Sequence, residues 1–240
     1  MDFNKIVDNA EEERNDAFRQ MVIDKIHNFL KEYVYGYYQI KEKIFVNDDM
    51  EINVNGSVSF KEYNEDEFPP YIRFNNVTGV FAIKGFQNFK SLKGFPKNAG
   101  AVEITDCPKL KSIEGLPSAP NYLLGHIGIR NLDGFPESKR YKGLNKKDKA
   151  IIGDLFGFGD LMEYPSIKLV LNNNLESLHG LPSNICNLTI LRCKKIRSID
   201  DIKSNVLTLT SDMYAIKDKC PTWSPKDPIK NFEFIDPHYA

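Results

Sequence analysis

A spacing of apolar residues that recurs about every 21 residues constrains the fold of this chain more than any other feature. In its clearest copy, Ile185, Leu188, Ile190, Cys193 and Ile196 occupy positions 1, 4, 6, 9 and 12 of a short segment. Three earlier copies fill the same positions with Thr78, Phe81, Ile83, Phe86 and Phe89, with Ala99, Val102, Ile104, Cys107 and Leu110, and with Tyr164, Ile167, Leu169, Asn172 and Leu175. Such a repeat predicts a solenoid of stacked coils.

The spacing within each copy predicts a strand followed by an irregular return. Positions 4 and 6 share one face of a strand, and stacking the coils places these strands in one parallel sheet. At position 9 the side chain turns inward, and we expect the Asn172 amide to hydrogen-bond backbone groups of a neighbouring coil. About nine residues remain for the opposite side of each coil, so that side is expected to be polyproline-like or irregular and not helical. Glycines suited to positive φ and prolines suited to an extended return recur there, namely Gly94, Gly115, Gly134, Gly180, Pro96, Pro117, Pro136 and Pro182.

Residues 1–43 are predicted to form an N-terminal amphipathic helix, with Asn15 or Asp16 as its cap. The first coil of a solenoid exposes an apolar end, so we expect this helix to cover that end. A partner-binding helix is the alternative. The apolar residues recur at steps of three and four and comprise Phe18, Met21, Val22, Ile26, Phe29, Leu30 and Tyr33.

Residues 44–76 are predicted to form a capping β-hairpin. Apolar residues alternate with polar ones on both sides of Asn55-Gly56-Ser57, which supplies turn residues. A three-residue loop would set Val54 opposite Val58 and bring the apolar faces together. The acidic residues that follow are predicted to be a solvated loop.

The repeats extend over residues 77–216, and one copy is degenerate. The copy after Pro117 is two residues shorter than the others, and His126 stands where Cys107 stood. A final worn copy ends the array. The fold class is therefore α+β but mainly β, with a helical cap, a hairpin and a parallel-sheet solenoid.

Two segments interrupt or follow the repeats. Residues 137–163 are predicted to be an insertion, in which a basic lead-in precedes a short apolar helix. It is either a solvated loop whose apolar end packs on the solenoid or a contact for phosphate or an acidic partner. Residues 217–240 show no period and are predicted to be a tail that caps the last coil. The candidate basic patch in the insertion is Lys139, Arg140, Lys142, Lys146, Lys147 and Lys149.

The composition limits the classes of function. The net charge of -1 argues against a generally basic nucleic-acid-binding protein. No apolar run is long enough for a membrane span and no secretory signal is visible, so we expect the cytoplasm of the producing or a host cell. Cys107 and Cys193 both fall at position 9, where we expect small buried thiols and not disulfides.

The sequence carries no recognisable catalytic signature. None of the four histidines has a second metal ligand at a suitable spacing, and no phosphate loop, dinucleotide fingerprint or nucleophile elbow is found. His179 is predicted to be a surface residue. We therefore expect no metal, no cofactor and no enzymatic activity.

The repeats over residues 78–216 resemble leucine-rich repeats, specifically the short type found in effector proteins of Gram-negative bacteria. The resemblance implies a curved solenoid whose concave strand face binds another protein. Some of those effectors carry a ubiquitin-ligase domain with a Cys-x-Asp signature, but Cys220-Pro221-Thr222 lacks it. That activity is therefore not expected here.

The pattern predicts which residues face outward on the strand side. Val170 and Leu191 are apolar members of this set, and apolar residues on an exposed sheet face suggest a protein partner. The predicted protein-binding residues are Val80, Ala82, Lys84, Ala101, Glu103, Thr105, Ser166, Lys168, Val170, Asn187, Thr189, Leu191, Val206, Thr208 and Thr210. The leading hypothesis is a non-catalytic protein-binding module, such as a bacterial or phage effector or inhibitor.

Three alternatives stay open. In the first, the face is merely solvated and binds nothing. In the second, the chain is a structural component of a larger, virion-like assembly that uses both caps as contacts. The third is polyanion or nucleic-acid binding through the basic insertion together with Arg192, Lys194, Lys195 and Arg197, which predicts affinity that falls steeply with salt. The oligomeric state is not predicted.

Overall fold

A computed structural model describes residues 3–137, 164–197, 199, 202, 204–212 and 229–236 of the chain, excepting the side chains of residues 3–14 and 230. Its helices are α1 (Phe3–Tyr33) and α2 (Tyr37–Ile40), followed by a short 3-10 helix (Lys41–Lys43). The strands are β1 (Ile44–Val46), β2 (Ile52–Val54), β3 (Val58–Ser59), β4 (Phe74–Lys84), β5 (Asn98–Cys107), β6 (Asn121–Ile127), β7 (Ser166–Val170), β8 (Asn184–Leu191), β9 (Asn205–Ser211) and β10 (Ile229–Phe234).

The strands form one sheet that follows the chain in order. Neighbours pair as β1-β2-β4-β5-β6-β7-β8-β9-β10, and β3 also pairs with β4. In the described part of the chain, every pair is parallel except the antiparallel β1 and β2. The chain is thus a mainly-β, parallel solenoid of about six turns with roughly 21 residues in each turn.

The predicted inward positions stack in register. Phe81 pairs with Val102, and Ile167 pairs with Leu188, which pairs in turn with Leu209. All five side chains are fully buried in one continuous core. The returns in the described residues contain turns and no helix, as the repeat length predicted.

The backbone turns sharply just before position 9 in successive coils. Asp106, His126, Leu171 and Arg192 all have a positive φ at this place, and Gly85 takes it in an earlier coil. The reversal swings the next side chain into the core. Asn172 is the polar example, because its Oδ1 accepts from Ile127 N at 3.0 Å and its Nδ2 donates to Leu124 O at 2.8 Å. The predicted contact with a neighbouring coil is confirmed.

Asn172→Ala is expected to destabilise the protein by about 2 to 4 kcal/mol, because it leaves a buried N–H and a buried C=O without partners. Asn172 is fully buried, whereas Asn173 beside it is exposed and makes no side-chain hydrogen bond in the described part of the chain. Asn173→Ala is therefore the matched control. Urea denaturation followed by circular dichroism measures both, and equal midpoints for the two variants would contradict the assigned role.

The serine that precedes each turn glycine has a structural role. The Ser91, Ser112 and Ser177 hydroxyl oxygens accept hydrogen bonds from the backbone N–H two residues later, and Asn131 does the same through Oδ1. The predicted positive φ is present at Gly94, Gly115, Gly134 and Gly180. Gly180 is also closely packed, since a Cβ there would lie 2.3 Å from the Leu132 carbonyl carbon.

The predicted hairpin between residues 54 and 58 is wrong. The antiparallel hairpin joins β1 to β2, pairing Ile44 with Val54. β2 and β3 both run parallel to β4, with Val58 beside Phe81. The residues between them pass over Gly79, whose N–H donates to Gly56 O at 2.9 Å and whose missing side chain leaves room for Ser57.

This pairing adds a coil before the first predicted one. Continuing the register of Val58 and Phe81 places Tyr63 beside Phe86, and their ring centroids lie 5.7 Å apart. Tyr63 and Phe68 are buried, so the acidic stretch between them is a return and not a wholly solvated loop. In the copy that follows, Thr78 was predicted to occupy the inward position 1. Val77 and not Thr78 is buried there.

Helix α1 begins at Phe3, so the predicted caps Asn15 and Asp16 lie inside it. Among the α1 side chains that the structure describes, those in the C-terminal part pack on the first coil. Phe18 and Met21 were predicted to be apolar contacts, but they are 63% and 45% exposed. Among the remaining predicted contacts, Ile26, Phe29 and Leu30 are buried and Val22 and Tyr33 pack partly against the core.

The degenerate copy and the tail also differ from expectation. Cys107 pairs with Ile127, so Ile127 and not His126 takes position 9. Compared with the other copies, this copy therefore lacks one residue before β6 and one residue after it. In the tail, β10 pairs in parallel with β9, placing Phe232 beside Leu209, and so continues the solenoid. Residues 217–228 and 237–240 of the tail lie outside the described residues.

Candidate protein-binding face

Side chains that point away from the core form three rows across the sheet, on what we call the outer face. The row at the carboxyl ends of the strands is Lys84, Thr105, Gly125, Val170 and Leu191. The middle row is Ala82, Glu103, Leu123, Lys168, Thr189, Thr210 and Glu233. The third row contains Val80 and Ala101, then Asn121 and Ser166, then Asn187 and Thr208. The strands bring together the predicted face residues, except Val206.

Val206 was predicted to lie on this face, but it is fully buried in the main core and pairs with Ile185. Both residues occupy position 1, and Leu188 and Leu209 at position 4 also point inward. The two inward positions are three residues apart along the chain, an odd number, so strict alternation fails between them. The outward side chains begin at Asn187 and Thr208.

The N-terminal part of the face is not an exposed apolar surface. Val80, Ala82 and Ala101 were predicted to be available to a partner, but they are buried and form a second, smaller apolar cluster with Leu123. Ser166 is also buried. These residues pack beneath the surface of the face and are not accessible to a partner.

The C-terminal part of the face combines accessible apolar groups with uncharged polar groups. Val170 and Leu191 are adjacent across β7 and β8 and are half-buried. Leu171, which follows Val170, is 40% exposed. Around them lie Asn187, Thr189, Thr208 and Thr210, all half-buried. Of the row residues on β7, β8 and β9, Lys168 is the only charged one.

Two buried polar atoms on the outer face are without hydrogen-bond partners within the described part of the chain. They are Thr105 Oγ1 and Asn121 Nδ2. Most buried polar atoms in proteins are paired, so these two are unusual. Neither lies in the core of the solenoid.

A cleft of about 540 Å³ lies at the carboxyl ends of β3, β4 and β5. We call it the carboxyl-edge cleft; its charged and aromatic lining residues are Tyr35, Phe60, Glu62, Lys84, Glu103, Asp106 and His126. His126 Nδ1 and Asp106 Oδ1 are 3.1 Å apart. The sequence prediction included Lys84 and Glu103 but missed the others. The residue just before position 9 marks this edge in every copy, and that signal identifies Asp106. His126 takes the same place only once Cys107 is seen to pair with Ile127.

The other predicted sites receive no support from contacts. The basic residues 139–149 lie outside the described residues. Lys195 pairs with Glu176 at 3.4 Å, and His179 is exposed with its Nδ1 2.6 Å from Asp133 Oδ1. Within the described ranges, no cluster of three or more His, Cys, Asp or Glu residues is arranged to hold a metal ion. None of the described helices has the length and hydropathy needed to cross a membrane.

The three cysteines within the described residues, Cys107, Cys186 and Cys193, are buried free thiols. Cys107 and Cys193 lie at position 9, as predicted, and the Cys193 Sγ–H points to Leu169 O and Leu191 O. Burial raises the pKa of the Cys107 thiol to about 12 and that of the Cys193 thiol to about 11. Burial also raises the pKa of Cys186. None of the three has the lowered pKa of a nucleophilic cysteine.

Cys107, Cys186 and Cys193 are expected to resist alkylation in the native protein, because the reactive thiolate is scarce and the sulfur is covered. Iodoacetamide at about pH 8, followed by peptide mass spectrometry, should modify them only after unfolding in guanidinium. Labelling of the native chain at the rate of the unfolded chain would contradict the burial of these side chains.

Comparisons with protein-family models, with curated proteins and with solved structures give no match to this chain.

Proposed function

We propose that this chain is a non-catalytic binding protein built from leucine-rich-type repeats, and that it captures a protein partner on the outer face of β7, β8 and β9. The repeat assignment is supported by the spacing of positions 1, 4, 6, 9 and 12 and by the Asn172 hydrogen bonds between coils. The partner would contact Val170 and Leu191, because they are the apolar side chains of this surface, in the row at the carboxyl ends of its strands.

The observation that carries the proposal is the chemical contrast between this face and the returns. The centre of a protein interface is depleted in charge and rich in apolar and adaptable polar groups. The row residues of β7, β8 and β9 have this composition, since Lys168 is their single charged member. The returns between the same strands carry charged residues such as Glu176, Lys194 and Lys195. A face that is merely solvated has no need for fewer charged residues than the returns.

The test replaces both apolar residues, as Val170→Asp with Leu191→Asp. Two carboxylates within the interface are expected to weaken binding at least about tenfold, since buried unpaired charge is costly. Affinity capture from the native cell, quantified by mass spectrometry, should lose a specific protein that the wild-type chain retains. Binding of that protein, once purified, is then measured by calorimetry.

The matched control is Phe45→Asp, which introduces a charge at an apolar side chain that is 52% exposed on β1, far along the sheet from β7. It should retain the captured protein. Thermal melts establish that all variants are folded, and Thr189→Glu provides a second probe of the same face. Equal capture by wild type and by both face variants would overturn the proposal.

A further inference from the structure

The carboxyl-edge cleft contains three charged side chains without a partner among the described residues. Several charged side chains elsewhere bridge neighbouring coils, as Lys97 does with Glu51 at 2.9 Å and Lys90 with Asp66 at 3.4 Å. In the cleft, Asp106 lies against His126, but the side chains of Glu62, Lys84 and Glu103 form no hydrogen bond or ion pair with any described residue. Glu62 and Lys84 are exposed and Glu103 is half-buried, so all three are accessible from the cleft.

The lining favours a cation. Glu62, Glu103 and Asp106 supply three carboxylates, the last of them in contact with His126, and Lys84 supplies one ammonium group. Tyr35 adds an aromatic ring that is 61% exposed, and a cation gains energy over such a ring. Carboxylates and an aromatic ring are the groups that bind a guanidinium or ammonium side chain. A cleft of about 540 Å³ accepts one such side chain with part of its backbone.

The row at the carboxyl ends of the strands connects the cleft to the apolar pair Val170 and Leu191 of the proposed face. From Lys84 the row passes through Thr105 and Gly125 to Val170 and Leu191. Gly125 has no side chain, so the row is lowest between Thr105 and Val170. From β4 to β8 there are four strand spacings of about 4.8 Å, or about 19 Å in all. An extended chain covers that distance in about six residues.

We infer that the partner presents an extended segment that crosses the carboxyl ends of the strands, with an arginine or lysine side chain in the carboxyl-edge cleft and a large apolar side chain on Val170 and Leu191 about six residues away. This inference rests on the proposed function and specifies its ligand. The backbone between these two side chains would lie in the trough at Gly125, the lowest part of the row between Thr105 and Val170. The unpaired carboxylates of Glu62 and Glu103 would bind the basic end of the segment, and Val170 and Leu191 would bind its apolar end.

The experiment offers the purified full chain a phage-displayed library of random linear peptides of about 12 residues, which is long enough to span the row. Enriched peptides should carry Arg or Lys five to seven residues from a large apolar residue. A synthetic peptide from the enriched set is then titrated by calorimetry. The double variant Glu62→Gln with Glu103→Gln should weaken its binding about tenfold and reduce the dependence of affinity on salt. Gly125→Leu should block the trough and weaken binding as well.

The matched control is Glu114→Gln with Glu176→Gln, which removes the same charge from the returns and should leave the affinity unchanged. Enriched peptides without the basic and apolar pair would overturn the inference, and so would the absence of any enrichment. Binding that is lost in Val170→Asp but insensitive to the Glu62 and Glu103 substitutions would also overturn it. That last result would leave the proposed protein-binding face standing, so the two failures are distinguishable.

Discussion

Replacing Leu169 with aspartate is expected to abolish the cooperative unfolding transition. Leu169 is fully buried, and its register neighbours are Leu124 on one side and Ile190 on the other. A carboxylate at this place would be buried without a partner, which costs several kcal/mol even when the group is protonated. That cost is a large part of the total stability of a typical domain.

The loss should spread because a solenoid coil is stable only against its neighbours. Disrupting one coil removes the packing surface of the coils before and after it. Circular dichroism during thermal and urea unfolding, together with gel filtration, measures the effect. Lys168→Asp is the control, since the adjacent side chain points to the outer face and is half-buried. A soluble Leu169→Asp variant that melts cooperatively near the wild-type temperature would show that the inward register is misassigned.

Phe29→Ala is expected to lower the free energy of unfolding by about 3 to 5 kcal/mol, the usual cost of emptying a buried phenylalanine site. Phe29 is 6% exposed and anchors α1 to the first coil. Its ring centroid lies 5.6 Å from that of Tyr63 and 6.0 Å from that of Phe68, both in edge-to-face geometry. Such contacts add to the energy of burial.

The same helix provides the control. Phe18→Ala removes an equal side chain that is 63% exposed, so it should change stability by less than about 0.5 kcal/mol. Urea denaturation of the two variants is compared with hydrogen exchange of the first strands, which should lose protection in Phe29→Ala alone. If both substitutions had the same small effect, α1 would not be the cap of the solenoid.

The sequence predicted the repeated part of the fold because each copy carries the same information. The inward residues Ile167, Leu169 and Leu188 were identified from spacing alone, and so was the inward turn of Asn172. Stacking identical coils leaves one consistent register, so no distant contact has to be known. The same reasoning identified most of the outer face, since outward positions are fixed once the inward ones are.

Sequence reasoning failed where local patterns fit two structures. A hairpin turn and a bulge between two segments that both pair with β4 suit Asn55-Gly56-Ser57 equally well. The contact with Gly79 favours the bulge. Val206 alternates with Thr208 and therefore resembles a face residue, but the three-residue step from position 1 to position 4 turns it inward.

By itself, then, the sequence determined the period, the core positions and the irregular returns of this protein, because these follow from side-chain spacing within a single coil. Tertiary structure alone decided the parallel pairing of β2 and β3 with β4, the addition of β10, and the grouping of Tyr35, Asp106 and His126 in one cleft. Each of these depends on contacts between residues distant in the chain, and the free energy of such contacts cannot be read from a local pattern.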